Sequence, residues 1–238
     1  GFAWTSTAGS LSSASGSRPV LTLPPGFAGA VDVTLTVTDA DGCAATLSRR
    51  VDVTPLPVAA AAALPSAEAC EGASGTSFDI DATASTGVAP LTYAWSVTSG
   101  SVSGTGSRVT VTLPPGAAAA TVTVVVTDAN GCTSSADVPL VVHPAPVADA
   151  RVASATVCAS SGSEPSVDLD ASGSSARGGA SIVSYAWSVT GPGTIADPAS
   201  ATTTVTYPAD TSGTFTATLV VTDSSGCTSS ASSTFTVR

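Results

Sequence analysis

The chain has 238 residues, with 10% charged and 5% aromatic, and 7 Lys+Arg against 17 Asp+Glu give a formal net charge of −10. An acidic chain without a basic patch is a poor match to nucleic acid or an anionic membrane surface. Its apolar runs are too short to cross a bilayer, so membrane insertion is not expected. Abundant Thr, Ser, Val and Ala in regular alternation describe an all-β protein rather than a disordered one.

The first residues read FAW, Phe2 to Trp4, and recur as YAW at Tyr93 to Trp95 and at Tyr185 to Trp187. Downstream of each comes a Thr/Val run ending in a near-identical turn: VTDADGCA at Val37, VTDANGCT at Val126 and VTDSSGCT at Val221. In Thr121 to Thr127, Val122, Val124 and Val126 recur at period two, as a half-buried strand requires. The aspartate that follows accepts bonds from backbone N–H groups two residues on. Gly131 supplies the positive φ that closes the turn, and the return strand starts at Cys132. A period near ninety residues with several short strands per period predicts tandem β-sandwiches.

Three units follow. The first, residues 1–54, holds strands near Phe2 to Thr5 and Pro19 to Leu23 and the hairpin Val31 to Thr54. It lacks the strands that precede the tryptophan elsewhere, so its apolar faces need strands supplied by upstream polypeptide or by a neighbouring subunit of a fibre. The connector Pro55-Leu56-Pro57-Val58 and its counterpart Pro144-Ala145-Pro146-Val147 hold neighbours along an extended path. The second unit, 55–142, is expected to contain strands over Val58 to Leu64, Ser77 to Ala82, Leu91 to Val97 and Arg108 to Leu113, then the Val122 hairpin. Phe78, Ile80 and Ala82 face inward, and Tyr93, Trp95 and Val97 share a face. Ala117 to Ala120 reads as loop and strand entry despite its helix-friendly composition. The third unit, 143–238, repeats the plan with Val167 to Asp170, Ile182 to Val189, Thr202 to Tyr207, Thr214 to Thr222 and Cys227 to Val237.

Cysteines fall one pair to each complete unit: Cys70 with Cys132, and Cys158 with Cys227. Pairing within each unit would close loops worth about 4 kcal/mol apiece. On this plan the partner of Cys43 is missing from the chain. No Cys or His spacing suits zinc, and paired cysteines place the protein outside the cell or on its surface.

The stretch LDASGSSARGGASIVSYAW, Leu169 to Trp187, resembles the PKD repeat, and the VTDxxGC ending resembles the cysteine-bearing PKD-like and immunoglobulin-like repeats of large bacterial surface proteins. The resemblance implies an immunoglobulin-like sandwich serving as an extracellular spacer, adhesin stalk or accessory module. The WDFGDG hallmark of many PKD repeats is replaced by WSVTSG at Trp95 and WSVTGPG at Trp187, so functions tied to that loop do not carry over.

Candidate sites are few. Asp39, Asp128 and Asp223 are candidate calcium ligands, with Asp41, Asp81 or Asp170 nearby, although the turn itself needs Asp-x-x-Gly. Otherwise no cofactor is expected. Trp95 and Trp187 fit the core better than a sugar platform, while Phe27 and Tyr207 remain unassigned to it. His143, the only histidine, lies in a connector and serves no repeated nucleophile. Arg49-Arg50 reads as a solvated strand end. The chain is therefore expected to be no enzyme but a structural rod, stalk or extracellular filament component. The alternative is an adhesive module that binds a surface glycan.

Overall fold

The computed structural model describes residues 1–158 and 162–238. These fall into two compact bodies, one of Gly1–Ala60, Ala84–Tyr93 and Val125–Ala136, the other of Ala61–Thr83, Ala94–Val124 and Asp137–Arg238. Every regular element among the described residues is a β-strand.

In the first repeat, β1 (Phe2–Ser6), β4 (Gly29–Thr38) and β5 (Ala44–Val53) form a three-stranded sheet in the order β1-β4-β5, and β2 (Ser10–Leu11) pairs with β3 (Leu21–Thr22). The expected strand from Pro19 to Leu23 thus shrinks to two residues. The hairpin register runs from Gly29 opposite Val53 to Thr38 opposite Ala44.

The second repeat contributes β6 (Ala62–Leu64), β7 (Glu68–Cys70), β8 (Thr76–Asp81), β9 (Thr92–Val97), β10 (Ser101–Ser103), β11 (Arg108–Leu113), β12 (Ala119–Thr127) and β13 (Thr133–His143). They form two four-stranded sheets, β10-β11-β8-β6 and β7-β13-β12-β9. The strand expected from Val58 is broken up: Val58 bridges Thr86 alone, and the ladder resumes at Ala62. Pro65 has no N–H to donate, so β6 ends at Leu64 and the chain crosses to the other sheet as β7. Phe78, Ile80 and Ala82 are buried as their alternation predicts, and Phe78 and Ile80 pack with Val111, Leu113, Val122 and Leu140. Ala117 and Ala118 form a turn entry, with Ala117 N–H donating to the Pro114 carbonyl at 3.1 Å.

The third repeat has β14 (Arg151–Val152), β15 (Thr156–Val157), β16 (Ser166–Asp170), β17 (Ile182–Val189), β18 (Thr194–Ile195), β19 (Thr202–Thr206), β20 (Gly213–Asp223) and β21 (Thr228–Val237). Its sheets, β14-β16-β19-β18 and β15-β21-β20-β17, copy the second repeat strand for strand. Their inner faces enclose Leu169, Trp187, Val205, Leu219 and Phe235.

Tyr207, left outside the core by its sequence context, is fully buried. Its ring lies 4.4 Å from that of Phe215 and 6.0 Å from Phe235, edge-on to the latter, and its hydroxyl donates to the Thr190 carbonyl at 3.3 Å. The WSVTGPG loop accommodates these rings, because a Cβ at Gly191 would stand 2.6 Å from Phe215 and one at Gly193 2.7 Å from Tyr207. Burial pushes the Tyr207 phenol above its ordinary value. A phenol whose folded value is raised contributes stability fully present below about pH 10, its value in the unfolded chain, and lost as pH rises from there through the raised folded value. Melting temperature measured from pH 8.5 to 11.5 should therefore fall for the third repeat, and Tyr207→Phe should flatten that alkaline slope. An unchanged slope in the variant would contradict the assignment.

Candidate functional site

Each tryptophan anchors the strand pair beside it. Trp4, Trp95 and Trp187 donate Nε1–H to the carbonyls of Gly16, Gly106 and Ser200 at 2.9, 2.8 and 3.2 Å. Their indoles are tied into the fold, with Trp187 buried and the other two half-buried. With Tyr207 in the core as well, the glycan reading loses one of its two named unassigned aromatics. Phe27 is half-buried.

The turn aspartates act on their own backbone. Oδ1 of Asp39 accepts from the Asp41 and Cys43 N–H groups at 3.0 and 2.8 Å. Asp128 does the same for Asn130 and Cys132, and Asp223 for Ser225 and Cys227, all at 2.9 Å. Among the described residues no three His, Cys, Asp or Glu side chains are arranged to hold a metal ion. Asp81 pairs with Arg108 at 2.8 Å. Its carboxyl is held below the usual range by hydrogen bonds from the Thr83 side chain and backbone, against a smaller opposing effect of burial and with help from Arg108.

Asp223 is 1% exposed, and its Oδ2 has no partner among the described residues. Asp223→Ala would leave two N–H groups without their acceptor and should cost about 2–3 kcal/mol of third-repeat stability. Asp223→Asn keeps Oδ1 and gives up no bond at Oδ2, so it should cost less than about 1 kcal/mol. Urea unfolding of both variants checks the contrast, and equal losses would refute it.

The cysteines overturn the expected pairing. Cys70 is bonded to Cys227, with Cα atoms 5.5 Å apart, so the bridge joins the second repeat to the third. Cys43, Cys132 and Cys158 are free thiols. The reason lies in strand direction. β15 runs parallel to β21 with Val157 opposite Val237, which puts Cys158 beside the last residues of β21. Cys227 precedes the first residue of that strand, Thr228. Ten residues of strand separate them by ~33 Å, far beyond disulfide reach. The second repeat has the same plan: Cys70 stands opposite His143, the last residue of β13, and Cys132 precedes its first, Thr133.

Several polar contacts surround the bonded junction. Cys227 is fully buried, and its sulfur lies 3.9 Å from the His143 carbonyl. Glu71 N–H donates to that same carbonyl at 2.8 Å. Glu71 Oε1 accepts from Gly116 N–H at 3.0 Å, and its Oε2 stands 3.6 Å from Arg177 Nη1. His143 Nε2 is 3.0 Å from Glu68 Oε2. A cleft of about 220 Å³ lies among Glu71, Ala117, Val142, Pro144 and Arg177. Gly178 packs so closely on Pro144 that a Cβ would meet its Cγ at 2.8 Å. Sequence reasoning missed Glu68, Glu71 and Arg177. The available signal was the Glu that follows Cys70 in a chain with few charges. Arg49 and Arg50 sit on β5, exposed as expected, with Arg50 Nε 3.1 Å from Asp52 Oδ1.

The arrangement is that of tandem immunoglobulin-like β-sandwiches joined through a covalent, charge-paired junction. Residues 56–142 match the family model "PKD-like domain", and residues 161–237 match "K319L-like, PKD domain". The chain belongs to the PKD-like repeats over these segments. No curated protein matches it significantly. Among solved structures it is similar to three domains of the bacteriophage RB49 outer capsid protein Hoc, at 14% identity and TM-score 0.46 over 100% of this chain and 88% of that one. It is also similar to a three-immunoglobulin-domain fragment of titin, at 11% identity and TM-score 0.42 over 100% and 88%. A third likeness is to fibronectin(III)-like modules of Clostridium thermocellum CbhA, at 13% identity and TM-score 0.37 over 76% and 93%.

Proposed function

We propose that this chain is a structural, non-enzymatic repeat region of a secreted or cell-surface protein, a stiff spacer within a rod, stalk or extracellular filament. The observation that carries the reading is the Cys70–Cys227 bond across a repeat junction. A bond that fixes one repeat against the next serves geometry rather than chemistry, and it persists only in an oxidising compartment. The Glu71–Arg177 pair and the Gly178–Pro144 contact reinforce the same junction. Small-angle scattering of the oxidised chain tests the proposal. A compact chain of this length has a radius of gyration of ~18 Å. A value well above this, with a profile unchanged between low and high salt, is expected, whereas a compact or broadly flexible particle would sink the reading.

A further inference from the structure

We propose that the Cys70–Cys227 bond is one rung of a repeating scheme. In it, the edge cysteine of each repeat bonds to the turn cysteine of the repeat that follows, and Cys158 is the open edge half, ready for a turn cysteine on another PKD-like repeat of this plan. The inference extends the structural reading above and rests on it.

The cysteines occupy two kinds of place. Cys70 and Cys158 lie at short edge strands, β7 and β15, that run parallel to the final strand of their repeat and meet its last residues. Cys43, Cys132 and Cys227 each close an Asp-x-x-Gly turn, donating N–H to the aspartate at 2.8, 2.9 and 2.9 Å. At the junction where both kinds are present, they are bonded to each other. Within a repeat they stand at opposite ends of a long strand and cannot meet. Cys158 and Cys43 are both exposed.

Cys132 adds an independent observation. Asn130, in its turn, donates Nδ2–H to Thr54 Oγ1 at 3.1 Å, and Thr54 follows Val53 at the end of β5 as His143 follows Val142 in β13. A strand laid parallel to β5, as β7 lies along β13, would carry its cysteine opposite Thr54 and so to Cys132. The turn cysteine of the second repeat is therefore placed where Cys227 is placed, one junction earlier.

The chemistry is thiol–disulfide exchange. Two thiols give up two protons and two electrons to form one S–S bond, and a small-molecule disulfide such as oxidised glutathione accepts them to become two thiols, passing through a mixed disulfide.

The test incubates the oxidised 238-residue chain at high concentration with oxidised glutathione, followed by non-reducing electrophoresis and peptide mapping. The expected result is a ladder of multimers in which Cys158 of one copy is joined to Cys43 of the next, with the ladder lost in Cys158→Ser. Material isolated from its source distinguishes the origin of the partner. A peptide reading Asp-x-x-Gly-Cys but absent from residues 1–238 identifies a further repeat, and Cys43 identifies a second copy. Symmetric Cys158–Cys158 and Cys43–Cys43 bonds at statistical shares, a bond from Cys158 to Cys227 or Cys132 of its own chain, or no multimers would each overturn the scheme. An elongated scattering profile with any of these outcomes refutes the rung and leaves the spacer reading standing.

Discussion

Phe235→Ala is expected to destabilise the third repeat by about 3–5 kcal/mol, a large part of the 5–15 kcal/mol that holds a typical domain folded. Phe235 is 1% exposed on β21, and its ring sits 6.0 Å from Tyr207 and 6.2 Å from Phe215. Truncation removes both the transferred apolar surface and the ring contacts, and it leaves a cavity that paired β-strands cannot readily collapse. The first repeat supplies the control. Counting from the turn cysteines, Val51 holds the position of Leu140 and Phe235, yet it is 49% exposed while those two are each 1% exposed. Val51→Ala should therefore change stability by less than about 1 kcal/mol. Thermal and urea unfolding of the two variants measures the contrast, and a loss below 1 kcal/mol for Phe235→Ala would show that the aromatic cluster is not the centre of this repeat.

The second large effect belongs to the junction. Replacing Cys70 and Cys227 by Ser removes a crosslink between residues 157 apart in sequence. In the chain-entropy model such a loop is worth about 5 kcal/mol against unfolding of both repeats together, an upper figure because each repeat has its own core. The variant should keep its strands and lose its coupling. One cooperative transition in the oxidised protein should become two, and the connector Pro144 to Val147 should become accessible to protease. A single unaltered transition would mean that the packing of Glu71, Arg177, Pro144 and Gly178 holds the junction without the bond.

Much of this was legible from period two alone. Arg108–Leu113 and Ile182–Val189 were read with their true bounds, because large apolar side chains recur there at every second position, Val109, Val111 and Leu113 in the one and Tyr185, Trp187 and Val189 in the other. Phe78, Ile80 and Ala82 were placed in the core for the same reason. Strands such as β2, β14 and β18 were not, since two residues carry no periodicity. Tyr207 was read as the last residue of a strand but not given to the core; the strand ends at Thr206, yet Val205 and Tyr207 keep the inward alternation and both are buried. The cysteines were paired by counting within a repeat. What counting omits is that β7 and β15 run parallel to the last strand, a topological fact that sends the edge cysteine to the far end from the turn. The junction charges escaped notice because Glu71 and Arg177 are 106 positions apart in the chain and meet only through the arrangement of two repeats.

The open face of the first repeat has a simple cause in the same plan. Its single sheet has the strands of β9, β12 and β13 in the order β1-β4-β5, with only β2 and β3 to stand for the facing sheet. Val37 is exposed there, whereas Val126 and Val221, at the same place before the turn aspartate, are fully buried.

The Cys70–Cys227 bond also decides what happens when the two ends of the chain are pulled apart. Tension entering at residue 1 and leaving at residue 238 passes from Cys70 to Cys227 through two sulfur atoms, so the residues between them lie off the load path. With a sequence separation of 157, roughly 500 Å of contour length is withheld from extension while the bond is intact. Most of the second and third repeats cannot be unravelled by force in the oxidised state, and the protein yields only through its first seventy residues and the last hairpin strand. Reduction returns the hidden length, which makes the junction a redox-controlled limit on how far the chain can stretch.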